Sequence, residues 1–125
     1  MGILSGALGN ASEIPIDKIQ SEYSPMLIES ETILKAFKVI RDTMIFTTKR
    51  VILVDKQGVT GTRAEYMTIP YTRINRFAKE SAGILDIDAA LKIWVTGQSD
   101  PLVIDFKRSN AINDIYQLLS EQVLK

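Results

Sequence analysis

The side chains that most often perform catalysis near neutral pH are missing from this chain. Its 125 residues include no cysteine and no histidine. Thiol nucleophiles, disulfides, zinc sites built from these residues and imidazole proton shuttles are therefore excluded. Asp86 and Asp88 would share one face of a predicted strand, where paired carboxylates can act in acid–base chemistry or bind a cation. A solvated strand face carries such residues without any function, so an enzyme is the weakest alternative and we predict no catalytic residue, cofactor or metal.

A short basic segment offers a second kind of chemistry, the binding of anions. Arg73, Arg76 and Lys79 lie close together in the sequence and would hold the phosphate groups of an anionic lipid. Scattered cations also serve simply to keep a domain in solution. Over the whole chain, 15 Lys and Arg balance 15 Asp and Glu, so no net field attracts nucleic acid and none is predicted as a partner. Peripheral binding of anionic lipid head groups is therefore kept as the alternative function.

The elements that would position these residues are mostly strands. Leu91 and Ile93 alternate with Lys92 and Trp94, and the same period of two recurs from Leu102 to Phe106, which indicates strands with one buried face. Other short runs rich in β-branched and aromatic residues follow from Ile33 onward. The spacing between runs is too short for crossover helices, so about seven antiparallel strands are predicted, in a sandwich or barrel.

Both ends of the chain have helical periodicity. At the C-terminus, the apolar stripe of one helix comprises Ile112, Ile115, Tyr116, Leu119 and Val123. The first 30 residues are predicted to form a helical, turn-rich extension, in which Ile3, Leu4 and Leu8 share an apolar face. The predicted organisation is a single domain with an N-terminal helical extension over 1–30 and a barrel with its C-terminal helix over 31–125.

Several pieces of the chain, taken in order, resemble the bacterial pleckstrin-homology-like domains. The pieces are Met1–Leu4 with Gly9–Glu13, Arg41–Asp42, Ile45–Ile52, Ile69–Tyr71 with Ile74, and Ala82–Gly83 ahead of Asp86–Trp94. The resemblance covers nearly the whole chain. It implies a mainly β fold, a bent antiparallel barrel of about seven strands capped by the C-terminal helix. It also implies a cytoplasmic domain without known catalysis that forms homo-oligomers, a ring being one arrangement.

The resemblance also bears on lipid binding. Many eukaryotic pleckstrin-homology domains bind inositol phosphates through cations around a roomy loop between their first two strands. In this chain the corresponding connection is reduced to Arg41–Asp42, one cation beside one anion. The multivalent phosphate site of those domains is therefore not expected here.

The residues proposed to contact a partner are the apolar Ile3, Leu4 and Leu8, together with Trp94. A short helix in water needs a cover for its apolar face, which its own barrel, a neighbouring subunit or a membrane would supply. The membrane is the weakest cover, because no cation occurs before Lys18. Trp94 falls on the polar side of its strand, where it would either contact a partner or lie under the N-terminal segment. An open strand edge is a second route to self-association.

The expected location is the cytoplasm, as the resemblance implies. No apolar run approaches the roughly 20 residues that span a bilayer. The apolar start of the chain lacks the basic segment of a signal peptide. The principal prediction is thus a non-catalytic interaction or scaffolding domain that associates with itself.

Overall fold

The alternating segments form the strands of one continuous, curled sheet. The computed structural model describes residues 6–40, 42–57, 62–81, 89–106 and 111–125. Within them the strands are β1 Gly6–Glu13, β2 Ile33–Val39, β3 Asp42–Thr47, β4 Arg50–Gln57, β5 Arg63–Pro70, β6 Ile74–Ser81, β7 Ala89–Val95 and β8 Leu102–Phe106. Their order across the sheet is β5-β4-β3-β2-β1-β8-β7-β6. The sheet is a half-barrel with a C-terminal helix, which confirms the predicted pleckstrin-homology-like fold class.

The short helices lie outside the sheet. Helix α1 Gln20–Tyr23 stands between two 3₁₀ turns, Ile16–Lys18 and Ser24–Met26, which together provide the helical part of the N-terminal region. A further 3₁₀ turn, Tyr71–Arg73, joins β5 to β6, and helix α2 Ala111–Val123 follows β8.

Strand β1 corrects the prediction of a helix at the start of the chain. Residues 6–10 of β1 pair in parallel with β8, and residues 11–13 pair antiparallel with β2, so β1 joins the two halves of the sheet. The prediction of a helix is therefore wrong for the part of this segment that the structure describes, which includes Leu8, because its backbone forms hydrogen bonds to neighbouring strands. A helix this short gains too little from its own hydrogen bonds to compete with two such strands. The β1–β8 pair is also the exception to the predicted antiparallel pairing.

The register of β1 shifts between Ala7 and Gly9. Gly9 has φ +97, and a Cβ at this position would lie 3.3 Å from the Cδ1 of Ile40. Glycine is required here because an L side chain disfavours this backbone conformation and would also crowd Ile40. The bulge lets β1 leave β8 and continue along β2.

The inner face of the sheet and α2 enclose the main core. The contact between sheet and helix buries Ile112, Ile115 and Leu119, as the helical periodicity predicted, together with Leu118. Phe37 lies near the centre of this core, with its ring edge-on to the rings of Phe46 and Phe106. α2 therefore closes the half-barrel by covering apolar side chains that the curled sheet alone would leave in water.

A second core lies on the outer face of β2, β3 and β4. Ile19 and Tyr23 from the N-terminal helical region pack there on the strand residues Ile33, Ala36, Ile45, Ile52 and Val54. Strands β3 and β4 are consequently buried on both faces. Their nearly continuous apolar sequence follows from this double cover.

Candidate functional site

Among the described strands, β5 and β6 each have a neighbour on one side only. They follow each other in the chain but stand at opposite ends of the strand order. β5 also has little cover on its faces, since Ile69 is its one buried residue and Tyr66 is 51% exposed. A free strand edge carries backbone groups that can pair with another chain, so these two edges are the candidate interaction site.

The direction of the backbone groups of β5 follows from its register with β4. Pro70 has no amide hydrogen, and the amide of its partner Arg50 donates to Thr47 Oγ1 at 3.0 Å. The Arg50–Pro70 pair is therefore not hydrogen-bonded. Because hydrogen-bonded and non-hydrogen-bonded pairs alternate in an antiparallel ladder, Thr68 and Tyr66 belong to the same class as Pro70. Their N–H and C=O groups point away from β4, toward the open edge.

Helix α2 supports β6 from the inner face. The rings of Phe77 and Tyr116 meet edge to face with centroids 5.3 Å apart. Lys79 Nζ donates to Asn113 Oδ1 at 3.0 Å and lies 5.5 Å from the centroid of the Tyr116 ring. These contacts hold β6 against the helix while its outer edge has no strand beside it in the described part of the chain.

The structure does not bring Arg73, Arg76 and Lys79 together on one surface. The guanidinium of Arg76 lies 4.6 Å from the centroid of the Trp94 ring, whereas Lys79 faces α2. Positions 76 and 79 differ by an odd number of residues, so their side chains project from opposite faces of β6. Arg73 is exposed in the 3₁₀ turn before the strand. The predicted anion-binding cations are thus split between two faces.

Trp94 occupies the outer face of β7. Its neighbours Leu91 and Ile93 are buried in the core, while Trp94 is half-buried on the opposite face under Arg76. The stacked guanidinium covers part of the indole and fixes its position. A contact between Trp94 and a partner stays a prediction.

Of the apolar N-terminal residues, Ile3 and Leu4 lie outside the described residues, and Leu8 lies in β1 at the register shift. The contact of these three residues with a partner stays a prediction, because the backbone pairing of β1 does not bear on it. Asp86 and Asp88 also lie outside the described residues.

The described residues contain no cluster of acidic side chains with the arrangement of a metal site. Nor does any helix among them have the length and apolar character required to cross a bilayer.

A buried ion pair that the sequence did not reveal fixes the turn beside β5. The side chain of Glu31 is fully enclosed, and it accepts hydrogen bonds from Arg50 Nε at 2.8 Å and Arg50 Nη2 at 3.0 Å. Thr47 Oγ1 donates to the same carboxylate at 2.5 Å, and the amide of Ile28 donates at 3.1 Å. Every lone-pair direction of the carboxylate thus has a donor nearby, which is the condition for burying a charge.

Arg50 extends this network to two other segments. Its Nη2 also donates to the carbonyl oxygen of Met26 at 2.8 Å, and its Nη1 donates to Thr68 Oγ1 at 2.9 Å. One side chain therefore ties the N-terminal helical region to β4 and to the edge strand β5. Residues 19 positions apart in the sequence carry no pattern that would have paired Glu31 with Arg50.

The ion pair predicts how stability depends on pH. Burial by itself raises the pKa of Glu31, but the hydrogen bonds from Arg50, Thr47 and Ile28 outweigh it and hold this pKa below its ordinary value of 4.5. The folded protein thus binds this proton more weakly than the unfolded chain does. The stabilisation is complete above pH 4.5 and is lost as the pH falls through the folded-state pKa.

We therefore expect the free energy of unfolding to fall more steeply with acid in the wild-type protein than in Glu31→Gln. Urea titrations at a series of pH values below neutrality measure both slopes. Glu13→Gln is the control, because it removes a carboxylate at a more exposed position, where Glu13 pairs with Lys35 at 2.7 Å. Parallel curves for the wild type and Glu31→Gln would contradict the assignment.

Comparison with known proteins decides the family. The model of the bacterial PH domain family matches residues 2–123. This chain belongs to the bacterial PH domain family. A crystal structure of a DUF1696 family protein with a pleckstrin-homology domain from Shewanella loihica PV-4 is similar at TM-score 0.81 and 42% identity, covering 92% of this chain and 98% of that one. The pleckstrin homology domain from Shewanella amazonensis SB2B gives TM-score 0.69 and 44% identity, with 94% and 95% covered.

A relative of this bacterial PH domain occurs in Bacillus subtilis (strain 168). The protein, named Uncharacterized protein YjqA, is 46% identical over 121 residues, which cover 96% of this chain and 97% of the relative. Neither this name nor the two structure descriptions states a catalytic activity. The family assignment therefore confirms the fold and leaves the role to be inferred from the surface.

Proposed function

We propose that this bacterial PH domain is a non-catalytic interaction module whose first partner is a second copy of itself. The observation that carries the proposal is the position of β5 and β6 at the two ends of the order of described strands in a single sheet. Addition of a strand at either edge forms backbone hydrogen bonds that need no particular side chain. A second copy of the chain is the natural partner, because it carries the same two edges and is present wherever the protein is made.

The two edges favour head-to-tail association over a two-fold dimer. Joining β5 of one copy to β6 of the next uses both edges of every subunit, whereas pairing like with like leaves one edge of each subunit open. Head-to-tail contacts close into a ring when the rotation between subunits allows it. The β4–β5 pairing has no register shift over its eight positions, and the register shift between β6 and β7 is confined to the Ile74–Arg76 end of β6. All of β5 and the rest of β6 therefore keep the regular edge that a partner strand requires, since a bulge would bend the edge away.

Light scattering on the purified protein tests self-association directly. A molar mass well above the 14.0 kDa of one chain is expected at about 10 μM. The variant Tyr66→Pro removes an outward-pointing amide of β5 without removing a bond to β4, and we expect it to reduce the mass. Tyr66→Thr is the matched control, since it removes the ring but keeps the amide.

The outcomes separate the proposal from its alternatives. A wild-type monomer at all concentrations up to about 100 μM would overturn self-association. Loss of assembly in Tyr66→Thr as well would assign the contact to the side chain and not to the edge. Circular dichroism of both variants establishes that the sheet is retained.

The N-terminal segment needs a gentler test than truncation. Deleting residues 1–12 would remove nearly all of β1, which pairs with both β2 and β8, and would disrupt the fold. Substituting Ile3 and Leu4 with serine leaves β1 in place and examines their proposed contact. Lipid binding receives no support from the geometry, because Arg76 and Lys79 face opposite ways.

A further inference from the structure

A cavity of about 290 Å³ opens beside the C-terminal end of β5, where two connections and the end of a helix meet. The β3–β4 turn, the 3₁₀ turn between β5 and β6, and the C-terminal end of α2 form its walls. Its lining residues are Thr48, Lys49, Pro70, Tyr71, Thr72, Gln122, Val123 and Lys125. Its size suits a small organic molecule.

Buried hydrogen bonds hold two of these walls together. The hydroxyl of Tyr71 donates to the carbonyl oxygen of Thr47 at 2.6 Å, joining the 3₁₀ turn to the end of β3. Thr47 Oγ1 in turn accepts from the amides of Lys49 and Arg50, each at 3.0 Å. The Glu31 carboxylate accepts hydrogen bonds from both Thr47 and Arg50. These bonds hold the walls in place without a ligand, so the cavity is preorganised.

Two lysines lie at the rim of the cavity. Lys49 and Lys125 are both exposed, and the ion pairs between described residues involve Lys35, Arg50 and Lys92 instead. Both ammonium groups are thus available to an anion. Thr48 Oγ1 accepts a hydrogen bond from the amide of Thr32 at 3.1 Å, which leaves its own hydrogen free to donate.

The other lining residues supply an apolar surface and one unsatisfied acceptor. Pro70, Tyr71 and Val123 present carbon atoms on which a flat ring can pack. The carboxamide oxygen of Gln122 is buried and receives no hydrogen bond from any described residue. Such an acceptor is costly in a folded protein, and a donor brought by a ligand would satisfy it after rotation of the flexible side chain.

We propose that this cavity binds a small organic carboxylate with a flat apolar body and a hydroxyl or amide donor. The lysines neutralise the carboxylate, the apolar lining accommodates the body, and Gln122 accepts from the donor. The proposal does not rest on self-association.

Isothermal titration calorimetry with three probes tests each part of this chemistry. 4-Hydroxybenzoate carries all three features and is expected to bind with Kd of about 0.1–1 mM. 4-Hydroxybenzamide lacks the charge, inorganic phosphate lacks the apolar body, and both are expected to bind at least about tenfold more weakly. Backbone amide shifts at Thr72 and Val123 are expected to locate the bound 4-hydroxybenzoate.

Variants of exposed lysines supply the matched comparison. Lys49→Gln with Lys125→Gln is expected to weaken 4-hydroxybenzoate binding at least about tenfold. Lys18→Gln with Lys38→Gln removes the same charge at exposed positions outside the cavity lining and is expected to leave affinity unchanged. The proposal is overturned if 4-hydroxybenzoate fails to bind at about 10 mM, if phosphate binds equally well, or if both double variants behave alike.

Discussion

Replacing Arg50 with methionine is expected to lower the free energy of unfolding by about 3–5 kcal/mol. The substitution leaves the Glu31 carboxylate, whose side chain has no solvent exposure, without its cation at 2.8 Å. It also leaves the carbonyl of Met26 and the hydroxyl of Thr68 without a donor. An uncompensated buried charge costs far more than the net gain from forming the pair, so the single variant measures that penalty.

Urea unfolding followed by circular dichroism gives the change in free energy. Lys49→Met is the matched control, because Lys49 is the exposed neighbour of Arg50 and its loss is expected to cost at most about 0.5 kcal/mol. The double variant Glu31→Leu with Arg50→Met removes both charges and is expected to regain much of the lost stability. An Arg50→Met protein as stable as Lys49→Met would show that Glu31 is not a buried anion in solution.

Replacing Phe37 with alanine is expected to destabilise the fold by about 3–5 kcal/mol. Phe37 is 1% exposed, and its ring meets those of Phe106 at 5.3 Å and Phe46 at 6.1 Å between centroids. The substitution opens a cavity between β2, β3 and β8 and removes two edge-to-face contacts, each worth about 0.5–1.5 kcal/mol. Neighbouring side chains belong to strands in both halves of the sheet, so they cannot easily collapse into the space.

The comparison for this variant is Phe77→Ala. Phe77 is half-buried on the edge strand β6 and has the single ring partner Tyr116 among the described residues. Its truncation is expected to cost less than half as much as that of Phe37, because solvent already reaches the ring. Thermal or urea unfolding of both variants checks the order, and equal losses would contradict the central position assigned to Phe37.

Strand and helix periodicity identified the elements with one buried face. In β7 and β8, buried and half-buried residues alternate as the sequence pattern predicted, and the stripe Ile112, Ile115 and Leu119 of α2 is buried. These predictions held because one face of each element meets the core and the other meets water. In such an element, apolar and polar residues alternate along the sequence with the period of the strand or the helix.

Segments whose partners lie far away in the sequence were harder to predict. The spacing of apolar residues near the start of the chain fits a helix, but residues 6–13 form a strand because their backbone pairs with β8 and β2. Likewise, β3 and β4 show continuous apolar runs because the helical segment around Ile19 and Tyr23 covers their outer face. In both cases the cover is supplied by a distant part of the chain, and local periodicity does not record it.

The sequence alone predicted the strands and the C-terminal helix and excluded cysteine and histidine chemistry, because those conclusions depend on local period and composition. The curling of the sheet into a barrel was implied by the resemblance to bacterial pleckstrin-homology-like domains. Tertiary structure decided which strands are the edges, that Arg76 and Lys79 part to opposite faces, and that Glu31 meets Arg50. These are questions of which residues share a location in space. They are decided when folding brings together residues that are widely separated in the sequence. The spacing of residues along the chain does not predict such contacts.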